Sequence, residues 1–230
     1  MFRNLFKPKW IALTIFLSFM IVLFGLLSNW QFHRLSERKE SNKVITSSLT
    51  ASPTIINKVS DIYDANEWQK ISVMGEFIPK DSKIVRKRYF KDKLGFWVIT
   101  PFVLTNGEKI LINRGWIQIG ENSTITPKIP TTSTDLTTID GYLRLLEKHK
   151  VNPNDLPQKQ IMTISQENFK LIPDSQKFYL QLIYDKKIAE IAELETPILS
   201  SGPHLSYAIQ WIIFAMFLPI GWYILLKNEE

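Results

Sequence analysis

The sequence predicts an α+β membrane protein in which two transmembrane helices flank a strand-rich extracytoplasmic domain. Three observations carry that prediction. Residues 11–28 and 205–226 bear no charged side chain, the 173 residues from 31 to 203 break into short apolar runs divided by Gly, Pro and Asn, and the 230-residue chain has no cysteine. At 1.5 Å rise per residue the two runs span roughly 27 Å and roughly 33 Å of helix, matching a hydrocarbon core of about 30 Å. A mean hydropathy of −0.05 and a net charge of +6 average over these two regimes and by themselves suggest an ordinary soluble chain. The pattern excludes a soluble enzyme, a multi-span transporter, a disordered tail and a disulfide-built secreted module.

The N-terminal segment, residues 1–10, holds Arg3, Lys7 and Lys9 and no acidic residue, so the positive-inside rule places it in the cytoplasm. The first span, 11–29, is too long for a signal-peptide core and runs into Ser28-Asn29-Trp30-Gln31 without a small-x-small cleavage site, so an uncleaved anchor is expected. The second span, 204–226, returns residues 227–230 to the cytoplasm and leaves 30–203 outside. Trp10, Trp30, Trp211, Trp222, Tyr207 and Tyr223 lie towards the span ends as interfacial aromatics. The ten residues ahead of the membrane leave no room for an organellar transit peptide, which points to a bacterial cytoplasmic (inner) membrane.

Beyond the bilayer, residues 30–49 have few breakers, so the first helix continues into water until Ser52-Pro53 stops it. Strands are expected around Trp68–Phe77, at Ile84-Val85, at Phe96–Thr100, at 136–146 and at 177–184. Asn106-Gly107 between apolar runs predicts a tight hairpin over 102–112 with positive φ at both central residues. Helix is expected at 165–171 and 185–195. Glycine in Asn113-Arg114-Gly115-Trp116 suggests a bulge or a close backbone approach. There Trp116 fills the core and Arg114 pairs with a carboxylate, or both turn outwards as a contact site. The run Arg86-Lys87-Arg88 reads as a solvated edge.

Chemical motifs are sparse. Without cysteine there is no thiol nucleophile or thiolate metal site, and no nucleotide-binding, zinc-protease or serine-hydrolase motif is present, so catalysis is not expected. The segment 31–203 carries 24 basic against 20 acidic residues, too mild and scattered for nucleic acid. Of the three histidines, His149 lies in a charged stretch, whereas His204 sits at the mouth of the second span after Ser200-Ser201-Gly202-Pro203, where a serine N-cap and a first-turn proline start a helix. Tyr207, Trp211 and Phe214 follow on the same side of that helix. The first span leaves the membrane at the same level with Trp30, Gln31, His33 and Arg34. Packed together, these side chains form either an interfacial pocket for an amphipathic macrocycle with an anionic edge or an aromatic membrane belt. In the first case an imidazole ligates haem iron and Arg34 pairs with a propionate.

Several of these segments resemble the surfeit locus protein 1 family of cytochrome c oxidase assembly factors. Trp30-Gln31 with Arg34 and Lys39 is similar to that family's post-membrane motif. Gly75-Glu76-Phe77, Thr100-Pro101, Asn113-Arg114-Gly115-Trp116 and Gly141-Tyr142-Leu143-Arg144 follow in the family's order, and His204-Leu205-x-Tyr207-Ala208-x-x-Trp211 is similar to its second-span motif. The resemblance implies a membrane protein that assists maturation of the oxidase catalytic subunit at haem a insertion, with a haem a synthase as a further partner. It implies His204 as a haem iron ligand, Trp30, Arg34, Tyr207 and Trp211 as its surroundings, and Gln31, Arg114, Gly115 and Trp116 as structural or partner-binding positions. Gly202 and Gln210 stand where the family pattern has asparagine and threonine, which leaves the histidine's hydrogen-bond partner open. A scaffold that holds oxidase subunits without haem and a membrane-anchored ligand-binding module are the competing readings.

Overall fold

The computed structural model describes residues 7–120, 125–184 and 190–228. Two long helices and eight strands make up its regular structure, in an α+β arrangement. Its contacts divide it into two compact units, one of Met1–Val44 with Ile198–Glu230 and one of Ile45–Pro197.

The first unit is a helix pair. Helix α1, Pro8–Thr50, runs unbroken for 43 residues, and α2, His204–Lys227, for 24. Each contains a window apolar enough to cross a membrane, only 6% of it buried within the protein. Side chains such as Ile15, Phe19, Leu26, Phe217 and Ile220 are exposed all around, as expected where lipid is the solvent. The contacts between the helices lie on one seam. At one end the Trp222 indole donates to Thr14 Oγ1 at 3.1 Å and meets Trp10 edge-on. Midway, Trp211 stacks on Phe24 with centroids 5.4 Å apart. Near the other end the Ser28 hydroxyl donates to the Ala208 carbonyl at 3.0 Å, with both residues buried. Two small residues at the crossing let the backbones approach, the common solution where no hydrophobic effect drives helices together.

In the second unit, β1 (Thr54–Ile56), β2 (Lys70–Phe77), β3 (Lys83–Phe90), β4 (Lys93–Leu104), β5 (Lys109–Gln118), β6 (Thr137–Leu145), β7 (Gln160–Ile161) and β8 (Phe178–Leu182) form one sheet. Pairing runs β2-β6-β8-β5-β4, and β4 pairs back onto β2 through Phe102–Leu104, so five strands close a ring. The 12-residue β4 makes this possible, because its first half pairs with β3 and its last three residues with β2. At the changeover a Cβ on Gly75 would lie 2.0 Å from the Val103 carbonyl oxygen, so glycine is required for the two strands to meet. Alternating inward residues Ile71, Val73, Phe77, Phe102, Leu104, Ile110, Ile112, Leu143 and Leu180 fill the ring, joined by Ile56, Val59 and Ile62 from β1 and the short helix after it. Outside it, Val85, Ile99, Leu111, Ile161, Ile164, Phe169 and Tyr179 form a second cluster.

The expected hairpin over 102–112 is present, with a different turn. Only Gly107 has positive φ, +86°, and the closing bonds join Leu104 to Gly107 and Glu108, so the loop is Thr105-Asn106-Gly107 with glycine at its left-handed end. Asn106 keeps a negative φ, its side chain spent on Glu108, accepting from its N–H at 3.0 Å and donating to its carboxylate at 2.8 Å. The helix expected at 165–171 is a series of turns instead. Asn168 Nδ2 donates to the Thr163 carbonyl at 2.8 Å, and the backbone closes by three-residue steps, as asparagine's local bonding favours. Of the helix expected at 185–195, residues 185–189 lie outside the described residues, and Ala192 is bridged to Trp116 as an extended chain. The Arg86–Arg88 run is not a solvated edge. Arg86 donates to Gln160 at 2.8 Å, and Arg88 grips both Glu147 oxygens at 2.7 and 2.6 Å while lying over Trp97, leaving only Lys87 exposed, on a bulge with φ +57°.

Candidate functional site

Helix α2 begins at His204 itself, with Pro203 as its N-cap in place of the expected serine. The Ser206 hydroxyl donates to the Pro203 carbonyl at 2.7 Å and ties down the first turn. The His204 ring turns towards α1, where its Nδ1 lies 2.8 Å from Gln31 Oε1. With the amide oxygen as acceptor, the imidazole carries its proton on Nδ1 and keeps the Nε2 lone pair for a ligand. The partner left open by Gly202 and Gln210 is therefore Gln31, one helix away.

The remaining interfacial residues do not close around this ring. On a helix turning 100° per residue, Ala208 and Trp211 fall close to the direction of His204, while Tyr207 falls about 60° to one side. Ala208 is accordingly buried at the crossing and Trp211 packs on Phe24, but Tyr207 is exposed. Trp30, one position before Gln31, is 54% exposed. Arg34 is turned along its own helix and bonds Glu37 at 2.6 Å, and His33 lies 3.4 Å from the same carboxylate. The structure thus joins His204 to Gln31 and Trp211 to Phe24, and leaves Trp30, Tyr207 and Arg34 outside a shared pocket. Ser28 and Phe24, which complete the seam, escaped sequence reasoning. The signal was present as residues three and seven positions before Gln31, on its side of the helix.

The second group lies in the strand unit. Between Trp97/Trp116 and Ile99/Asn113 the β4–β5 register shifts, so β5 carries one extra residue at Arg114-Gly115, as the motif predicts. Gly115 has φ +122°, and a Cβ there would sit 2.4 Å from the Ala192 carbonyl oxygen and 2.6 Å from Ile191 Cγ2. The close approach lets Trp116 and Ala192 exchange two backbone hydrogen bonds of 2.8 Å. Trp116 is buried, lies 5.5 Å from Phe90, and donates its indole N–H to the Arg88 carbonyl at 3.0 Å. Arg114 is 2% exposed and pairs with two main-chain carbonyls, Pro130 at 2.8 Å and Thr131 at 2.9 Å, instead of the expected carboxylate. The Tyr184 hydroxyl donates to the Arg114 carbonyl at 2.5 Å, and burial pushes that phenol's pKa up to about 12.

The SURF1 family model matches residues 18–216, a stretch that contains both groups. The chain belongs to the SURF1 family. Among relatives of this SURF1-family chain, a SURF1-like protein of Mycobacterium tuberculosis is 28% identical over 229 residues, covering 94% of this chain and 83% of that protein. A SURF1-like protein of Rickettsia bellii is 27% identical over 224 residues, 90% and 87% of the two chains. The cytochrome oxidase assembly protein SHY1 of Saccharomyces cerevisiae is 30% identical over 112 residues, 47% of this chain and 28% of the yeast protein.

Proposed function

We propose that this SURF1-family protein assists assembly of cytochrome c oxidase from a bacterial cytoplasmic membrane, with both termini cytoplasmic and the strand unit outside. Family membership and the yeast relative's name support the assembly role. The finer reading is that it helps deliver haem a to the oxidase catalytic subunit, receiving it from a haem a synthase. The observation that carries this reading is the 2.8 Å contact between His204 Nδ1 and Gln31, which fixes the ring and leaves Nε2 able to bind iron. His204 would hold haem through Nε2, and bound haem would supply the redox-active iron destined for the oxidase. Arg34 does not fit a propionate clamp while Glu37 neutralises it.

The test is a pyridine-haemochrome spectrum of the protein purified from cells that make haem a, beside His204→Ala and a deletion strain. Haem a in the wild type, lost in the variant, supports delivery, whereas normal oxidase in the deletion strain removes the assembly role altogether. The scaffold reading draws on a specific observation of its own. Trp211 is used up in its stack on Phe24 across the two helices, as a residue that only holds helices together would be. It gains if neither protein carries haem while the deletion strain still loses oxidase.

A further inference from the structure

A second site lies in the strand unit. Arg114 faces a cleft of about 620 Å³ between the ends of β6 and β8. Phe77, Ile139 and Leu182 supply its apolar lining, and Thr137, Thr138 and Tyr184 its polar groups. The guanidinium lies 6.0 Å from the Phe77 ring centroid, at the apolar end of the barrel interior. Its two terminal nitrogens each give a hydrogen to a carbonyl, of Pro130 and of Thr131, and the Tyr184 phenol lies against the same guanidinium. Carbonyls satisfy donors but do not cancel charge, and among the described residues no ion pair includes Arg114. Burial accordingly pushes its pKa down, with the Tyr184 phenol opposing.

A buried cation without a counter-ion is costly unless something anionic completes it. The two carboxylates that line the cleft do not. Asp135 accepts the Ser133 hydroxyl at 2.6 Å, and Asp140 faces Lys70 at 4.0 Å. Both weigh more heavily against a dianion such as phosphate than against a single negative charge beside Arg114. We infer that this cleft binds a carboxylate carried on an apolar body, with the carboxylate on the Arg114 guanidinium and the body against Phe77, Ile139 and Leu182. A carboxylate is planar and matches a guanidinium, forming the short, charge-assisted bonds that arginine makes best. The source is either a small amphipathic acid or the apolar C-terminal end of a polypeptide, since both present the same chemistry. The inference stands on the barrel geometry, and its failure leaves the reading of His204 untouched.

The test uses the full chain in lipid nanodiscs and fluorine NMR with a trifluoromethylated 3-phenylpropanoate as probe, beside its uncharged amide. The acid binds about tenfold tighter than the amide, Arg114→Gln abolishes that preference, and Arg114→Lys keeps part of it. Thr138→Trp fills the cleft from an exposed strand position, so it blocks the probe without disturbing the core and serves if Arg114→Gln fails to fold. Competition by acetyl-Leu-Phe with a free C-terminus, but not by its amide, supports the inference with a polypeptide source. Binding of the small acid alone supports it with a small-molecule source. Equal binding of acid and amide, no saturable binding, or full binding to Thr138→Trp overturns it.

Discussion

Replacing Gly115 by alanine tests how tightly the strand bulge is built. The residue has φ +122°, where any side chain is strained by about 1–3 kcal/mol, and the new Cβ would meet the Ala192 carbonyl oxygen at 2.4 Å. A carbonyl oxygen on a bridged backbone cannot swing aside as a flexible side chain can, so the 191–192 segment must lift. Lifting it weakens two hydrogen bonds between Trp116 and Ala192, worth about 0.5–1.5 kcal/mol each, and re-exposes part of Ile191, now 4% exposed. The combined cost is on the order of 4 kcal/mol, which lowers the melting temperature of a unit this size by roughly 8–16 °C. The assay is thermal unfolding of the full chain in detergent, followed by tryptophan fluorescence, with Gly107→Ala as the control. Gly107 shares the positive φ, +86°, but a Cβ there meets nothing within 4 Å, so that variant loses only the backbone term, about 1–2 kcal/mol. If the two variants melt together, the close approach of residues 191–192 is not a constraint and the steric reasoning fails.

Three further outcomes follow from contacts already described. The Tyr179 and Tyr184 phenols are both pushed up to about 12 by burial, so the folded state holds their protons after the unfolded state has lost them. Stability is therefore full below about pH 10 and falls between pH 10 and about 12, by up to about 2.7 kcal/mol per phenol; Tyr184→Phe should flatten that fall in denaturant titrations, and an unchanged slope refutes it. Arg88 and Glu147 are largely shielded and joined through both carboxylate oxygens, so a double-mutant cycle with Arg88→Ala and Glu147→Ala should give a coupling of about 1–2 kcal/mol, and a value near zero contradicts it. Ala208→Leu overfills the buried helix crossing at a cost of about 1–3 kcal/mol. Spin labels on Trp30→Cys and Leu205→Cys, in a chain with no cysteine of its own, should then report a longer and broader distance, and an unaltered distribution counts against the crossing.

Much of the fold was legible because it is written in local signals. The spans announce themselves by uncharged length, helix α1 continues to Thr50 because nothing breaks it before Ser52-Pro53, and Gly115 marked its bulge. What stayed hidden depends on residues far apart in the chain. Nothing near Phe102 says that it pairs with Phe77 and closes a ring, and nothing near Arg114 says that its partners are carbonyls at 130 and 131. The helix expected at 165–171 failed because Asn168 prefers its own neighbours' backbone. The interfacial residues of the two helices were legible as a group but not as contacts. Sequence spacing set His204 and Trp211 on one side of their helix, but that His204 meets Gln31 while Trp211 meets Phe24, that Trp30 and Tyr207 stay exposed, and that Glu37 takes Arg34 required the packed helices to be seen.

Strand β8 is five residues long, and it alone joins β5 to β6, running parallel to one and antiparallel to the other. That makes it a keystone in the order of synthesis. β5 is complete at residue 118 and β6 at residue 145, yet both wait with an open edge until residue 178 arrives. A chain interrupted between those points has most of its barrel wall but lacks the piece that closes it. Such a fragment is not a smaller version of the domain. It is a sheet with two unpaired margins, ready to pair with whatever strand a neighbouring chain presents.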